Sequence, residues 1–172
     1  MKKLLFVLIL SVLGCDQKEG ETSSTVAQKT DKSFKLEVYD YDGIERFLKL
    51  YDDKVHVVNF WATWCVPCVK ELPHFESLNE KFKNQGVEVL LISLDFPKQY
   101  NSKLIPFVEK HKLKSKVIAL DDTDMNTWLP KVDQSWSGAI PATLIYTKDK
   151  RMFYEQSFSY EELEIEVEQF IK

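Results

Sequence analysis

An α/β fold on a mixed central sheet is the class this sequence predicts, and three observations predict it. Strand-like and helix-like patterns alternate along most of 34–172. Two largely apolar, β-branched runs, Val55 to Trp61 and Val87 to Leu94, read as parallel strands buried on both faces. The last two strand patterns are separated only by Lys148-Asp149-Lys150, a turn short enough to close an antiparallel hairpin.

The elements follow in order. Phe34 to Tyr39 reads as a short strand with Leu36 and Val38 on one face. Behind a turn at Asp42-Gly43, residues Ile44, Phe47, Leu48 and Tyr51 recur at helical spacing. The strand Val55 to Trp61 comes next. From Cys68 onward Leu72, Phe75 and Phe82 mark a helix stripe, stopped by Gly86. After the strand Val87 to Leu94, a second stripe runs through Leu104, Phe107, Val108 and His111. Lys116 to Leu120 is a further strand and Asp124 to Lys131 a short helix. Ala142 to Thr147 and Arg151 to Ser157 form the hairpin. The last helix opens on Ser159-Tyr160-Glu161-Glu162, a capping-box pattern, and turns Leu163, Val167 and Phe170 inward. The order is β-α-β-α-β-α-β-α-β-β-α.

With 172 residues, 44% of them apolar and 29% charged, the chain has globular composition, which excludes a disordered or polytopic membrane protein. The net charge is −4 with both signs interspersed, so no basic stripe offers itself to a nucleic-acid backbone. Met1-Lys2-Lys3 is a positive start, followed by an apolar run from Leu4 to Leu13. Ten helical residues rise about 15 Å, too short to cross a bilayer and suited to a signal peptide over 1–14. Val12-Leu13-Gly14-Cys15 resembles the bacterial lipoprotein signal, in which the cysteine thiol carries the lipid. Residues 15–33 then read as a lipid-anchored tether, since Val26 and Ala27 are the only apolar side chains after Cys15 and bury too little to offset ordering. The folded domain is expected over 34–172, outside the cytoplasm of a bacterium and held to a membrane.

Only two cysteines remain, in Trp61-Ala62-Thr63-Trp64-Cys65-Val66-Pro67-Cys68, where a buried strand gives way to a helix. At a helix N-terminus unpaired N–H groups and the dipole favour a thiolate at Cys65. Cys68, one turn in, is placed to resolve a mixed disulfide, so the pair exchanges two electrons without a cofactor. Pro67 sacrifices no needed hydrogen bond in the first turn. Half of a zinc site is the competing reading, but it wants a second ligand pair, and the histidines stand singly at 56, 74 and 111. No metal site is therefore expected. A purely structural disulfide is the other alternative, although so small a loop constrains the unfolded chain little.

WATWCVPC after VHVVNF resembles the thioredoxin superfamily, and within it the membrane-tethered, extracytoplasmic thiol–disulfide oxidoreductases of the TlpA-like, cytochrome-maturation type. The resemblance covers roughly 34–172. It implies a thioredoxin-like fold with an extra helix and strand at about 97–121. It makes Pro73 the proline that bends the active-site helix, and Pro141 a cis-proline packed against the cysteines. The backbone of Ile140 would then pair with an extended substrate segment. It also makes Glu71, three residues after Cys68, a proton-transfer group for the second cysteine. Asn59 stands where ordinary thioredoxin has a buried aspartate, so a carboxylate partly screened from water at Glu71, with a raised pKa, is the nearest substitute.

Trp64 is a candidate for the docking surface, with Trp136 at its border. His56 reads as a core histidine, His74 as a minor candidate for tuning the thiols, and Asp95 and Asp121-Asp122 as strand-end acids without a phosphate loop or metal spacing. The expected activity is that of a protein-disulfide oxidoreductase, with reductase the favoured direction. Its partners would be protein thiols or disulfides and a membrane electron-donor protein. The alternative is an extracytoplasmic copper or haem-maturation chaperone on the same fold, although copper carriers of this shape separate their cysteines by three residues rather than two.

Overall fold

A computed structural model describes residues 34–171, so the expectations for the signal peptide, Cys15 and the tether lie outside the described residues. Six strands and five α-helices alternate in the expected order: β1 (Glu37–Tyr39), α1 (Tyr41–Glu45), β2 (Val55–Trp61), α2 (Val66–Phe82), β3 (Val87–Ser93), α3 (Ile105–His111), β4 (Lys116–Leu120), α4 (Met125–Val132), β5 (Ala142–Tyr146), β6 (Arg151–Tyr154) and α5 (Tyr160–Glu168). The sheet order is β1-β4-β3-β2-β5-β6. The first four strands are mutually parallel, β5 runs antiparallel to them, and β6 runs antiparallel to β5. The mixed sheet is thereby as expected, with the 97–121 insertion contributing α3 and a strand wedged between β1 and β3.

Burial explains why β2 and β3 read as continuous apolar runs. On one face Val57, Trp61, Val89 and Leu91 pack with Leu72, Phe75 and Phe82 of α2, Val108 of α3, and Leu163 and Val167 of α5. On the other, Val58, Phe60 and Ile92 meet Ile44 of α1 and Trp128 and Val132 of α4. Successive side chains of a strand point to opposite faces, so a strand covered by helices on both sides has no polar alternation to show.

Four elements differ from the sequence reading, among them the second hairpin strand β6, which ends at Tyr154 rather than at Ser157. Strand β1 has three residues rather than six, and Val38 is exposed because β1 is an edge strand. The first helix ends at Glu45. Turn bonds from Phe47 N–H to Ile44 O and from Leu48 N–H to Glu45 O carry the chain on, and Tyr51 is 87% exposed. Helix α3 is preceded by a π turn over Tyr100–Leu104. Pro106 has no N–H to offer the carbonyl four residues earlier, which accounts for a local shift to wider bonding.

Helix α2 ends through a short 3-10 turn over Lys83–Gln85, and Gly86 follows with φ +77°. An added Cβ there meets nothing closer than the Asp53 carbonyl oxygen at 3.9 Å, so the cost of substitution is conformational. Gly86→Ala is expected to lower unfolding stability by about 1–2 kcal/mol, and Gly86→Asn by less, in urea titrations read by circular dichroism.

Candidate active site

Strand β2 delivers the chain to the carboxyl end of the sheet, where Ala62-Thr63-Trp64 turns it into α2. Cys65 is the N-cap of that helix, and its Sγ accepts the backbone N–H of Cys68 at 3.3 Å. The two sulfurs are joined in a disulfide with Cα atoms 5.3 Å apart. Cys65 is 6% exposed and Cys68 wholly buried, so only the first sulfur has a route to a partner. In the reduced protein the same N–H, together with the dipole of a 17-residue helix, favours negative charge on Cys65.

The turn ahead of Cys65 is held by a residue that the sequence marks only as a strand-end acid. Asp95, buried just beyond β3, accepts the Thr63 backbone N–H at 3.0 Å, the Thr63 hydroxyl, and the Ser93 hydroxyl at 2.8 Å. Its only sequence signal was its place at the end of a buried strand. Above the turn, half-exposed Trp64 stacks on Phe96, rings 19° apart and centroids 6.4 Å apart. Opposite lies the Ile140–Pro141 peptide, which is cis, with the Ile140 carbonyl oxygen 3.7 Å from Cys65 Sγ. Trp136 does not border this surface. It is buried against Phe60, and its indole N–H donates to Ala139 O at 2.8 Å, steadying the loop before Pro141 from below.

Glu71 is more deeply placed than a partly screened carboxylate, with only 2% of it exposed. Asn59 Nδ2 donates to its Oε1 at 2.9 Å, and the Phe158 backbone N–H to its Oε2 at 2.9 Å. Burial pushes the Glu71 pKa up to about 7, while the two hydrogen bonds hold it back from rising further. Both partners are donors, so they satisfy the carboxylate and leave the O–H of the acid without an acceptor between them. A proton held here is easily given up, and Cys68 lies one turn away on the same helix. His74, one turn further along, donates from Nδ1 to the Phe158 carbonyl at 2.9 Å, since a carbonyl can only accept. Phe158 is thus clasped at both its N–H and its C=O by α2, an arrangement with no trace in the sequence. His56 is a core residue, bonded to Asp52 at 2.7 Å and stacked on Tyr146.

The raised pKa of Glu71 has a thermodynamic consequence. The folded state holds this proton up to about pH 7, whereas the unfolded chain releases it near 4.5. Stability from this group is therefore complete below about pH 4.5 and is lost as pH rises through 7, on the order of 3 kcal/mol in all. Glu71→Gln cannot titrate, so subtracting its stability from that of the wild type should isolate a difference that falls by this amount between pH 4.5 and 8. The slope is the readout, because the amide presents a donor to one of two existing donors and shifts stability at every pH. Chemical denaturation of the oxidised proteins across that range checks it, and a flat difference would place an ordinary, solvated carboxylate at Glu71.

Comparison with known proteins agrees with this geometry. Residues 27–154 match the AhpC/TSA family. The thiol–disulfide oxidoreductase ResA of Bacillus cereus is 32% identical over 118 residues, spanning 63% of this chain and 68% of that protein. ResA of Geobacillus thermodenitrificans is 29% identical over 156 residues, spanning 88% and 83%. Among solved structures, StoA from Bacillus subtilis superposes with a TM-score of 0.53 at 22% identity, over 66% of this chain and 82% of that one. A secreted disulfide oxidoreductase of Mycobacterium tuberculosis does so with 0.54 at 18% identity, over 73% and 98%. With most of its length inside the matched span and the thioredoxin-like fold beneath it, the chain belongs to the AhpC/TSA family.

Proposed function

We propose that this protein is an extracytoplasmic thiol–disulfide oxidoreductase that reduces protein disulfides through Cys65 and Cys68. The observation that carries the reading is the asymmetry of the pair. Cys65 caps the helix N-terminus and keeps 6% of its surface exposed, and Cys68 is wholly buried beneath it with a buried glutamate one turn away. In the reduced protein the Cys65 thiolate attacks one sulfur of a substrate disulfide, and the other sulfur leaves as a thiolate and takes up a proton. Cys68, deprotonated by Glu71, then attacks Cys65 Sγ and expels the second substrate thiol. Two electrons and two protons pass to the substrate, and the enzyme is left in the disulfide form of the structure. A dithiol donor must restore the reduced form, and a membrane electron-donor protein fits that role. No cofactor enters the cycle.

The finer reading has the domain lipid-anchored through Cys15, which Val12-Leu13-Gly14-Cys15 supports, and serving cytochrome c maturation, which the TlpA-like resemblance supports. Among the described residues no helix is long and apolar enough to cross a membrane. The copper-chaperone alternative wants a third ligand beside the two sulfurs. Among the described residues no group of three or more His, Cys, Asp or Glu side chains is placed to hold a metal ion.

Roles and direction are separable by experiment. Cys68→Ala should accumulate long-lived mixed disulfides with partner proteins, and Cys65→Ala should accumulate none; the reverse pattern exchanges the two roles. A reduction potential near about −270 mV against glutathione supports the reductase, and one near about −120 mV an oxidant. Metabolic labelling with a fatty acid should mark the wild type and not Cys15→Ser, and equal labelling of both would remove the anchor.

A further inference from the structure

The groove beside the disulfide has a chemical character that thiol–disulfide exchange alone does not require. It encloses about 360 Å³ and is walled by Trp64, Phe96, Met125 and Ile140. The first three are large apolar side chains left exposed. Among the described residues its charged lining is all of one sign: Asp95, Asp121 and Asp122 face it, and no lysine or arginine does. Cations gather instead at the opposite pole, where Lys49, Lys131, Lys148, Lys150 and Arg151 bound another cavity. The strand register fixes these poles. Tyr146, in that basic cavity, pairs with His56 at the start of β2, whereas Ala142 pairs with Phe60 at the end that leads to Cys65.

Two of the three aspartates are committed to the fold. Asp95 holds Thr63 and Ser93, and Asp122 accepts the backbone N–H groups of Tyr41 and Asp124. Asp121 is different. Its main chain bonds to Tyr39 O, but its exposed carboxylate accepts no hydrogen bond and pairs with no cation among the described residues. Its charge is felt by the Tyr100 phenol, but with no donor or cation of its own among the described residues, a carboxylate on the lip of an apolar groove is an acceptor for a cation brought by something else. The apolar walls exclude water and strengthen that attraction, and an acidic visitor meets three like charges.

We propose that this groove docks the substrate, and that it selects polypeptide segments carrying a basic side chain and an apolar neighbour close to their cysteine, the basic group being received by Asp121. The proposal rests on the reading of Cys65 and Cys68 as the exchange centre. It adds a selection rule for what that centre meets.

The test uses the full-length protein, reduced, in detergent, with two disulfide-closed peptides. These are identical except that lysine or glutamate stands beside the cysteine, next to a leucine. Oxidation is followed by tryptophan fluorescence, and the readout is the ratio of second-order rate constants. In the wild type the lysine peptide should react faster, on the order of tenfold at low ionic strength. The ratio should shrink toward unity at about 0.5 M salt. Asp121→Asn should reduce the low-salt ratio, and Asp121→Lys should invert it. Using a ratio cancels any change in the reactivity of Cys65 itself. Equal rates for the two peptides in the wild type, or a ratio unmoved in both variants, would overturn the proposal. A small neutral disulfide, hydroxyethyl disulfide, is run with the wild type alongside. If it exchanges while the peptides are not distinguished, the docking rule fails alone. If neither it nor the peptides exchange, the redox reading fails and the docking rule with it.

Discussion

A carboxylate taken out of water beneath a disulfide is the constraint around which this domain is arranged. Burying Glu71 is costly unless its oxygens are bonded, and the bonds come from separate elements. Asn59 approaches from β2 and is itself fixed to β5, donating to the Thr143 hydroxyl at 3.2 Å. Phe158 approaches from the segment that leads into α5. The site therefore exists only when β2, β5, α2 and the entry to α5 are all in place. The second tie from His74 to Phe158 locks α2 against that entry one turn further along. The same helix presents Cys65 at its N-terminus, so the acid and the disulfide are set by one rigid body.

How much of this was legible in the sequence depends on the range of each interaction. Strands β2 and β4 carry the boundaries that composition suggested, because β-branched runs and burial on both faces leave a local signature. The cysteine pair was legible for the same reason, its chemistry being contained in four consecutive residues. Helix α1 was overextended because Ile44 and Leu48 reach the core equally well from a short helix followed by a turn, and spacing alone does not separate the two. The contact from Asp95 to Thr63 spans 32 positions and that from Phe158 to Glu71 spans 87. No periodicity encodes such pairs; they appear only once the sheet has set the ends of its strands side by side.

Those strand ends explain a second pattern. Cys65 follows β2, Asp95 follows β3, and Asp121 and Asp122 follow β4, three parallel neighbours whose carboxyl ends point the same way. In open α/β sheets this edge collects ligands, because the chain must leave the sheet there in loops free of packing duties. The inserted strand β4 matters to the site for this reason. It adds one more carboxyl end, and with it two carboxylates, to an edge that already carries the disulfide. Acids that looked incidental along the chain become neighbours of the redox centre once the strand order is known.

The presence of Asn59 where ordinary thioredoxin has aspartate follows from the same electrostatics. Asn59 lies within hydrogen-bond distance of Glu71, and neither side chain reaches solvent. A second carboxylate at that position would oppose the first in a medium of low dielectric, and one of the two would stay protonated through the neutral range. An amide avoids the conflict. Burial raises the Glu71 pKa to about 7, and the Phe158 N–H and then the Asn59 NH₂ group, by stabilising the ionised form, oppose that rise. The Asn59 Oδ1, buried and without a hydrogen-bond partner among the described residues, marks what the arrangement costs. The buried carboxylate thus lies on the helix, three residues beyond Cys68, and the strand supplies an amide that donates to it.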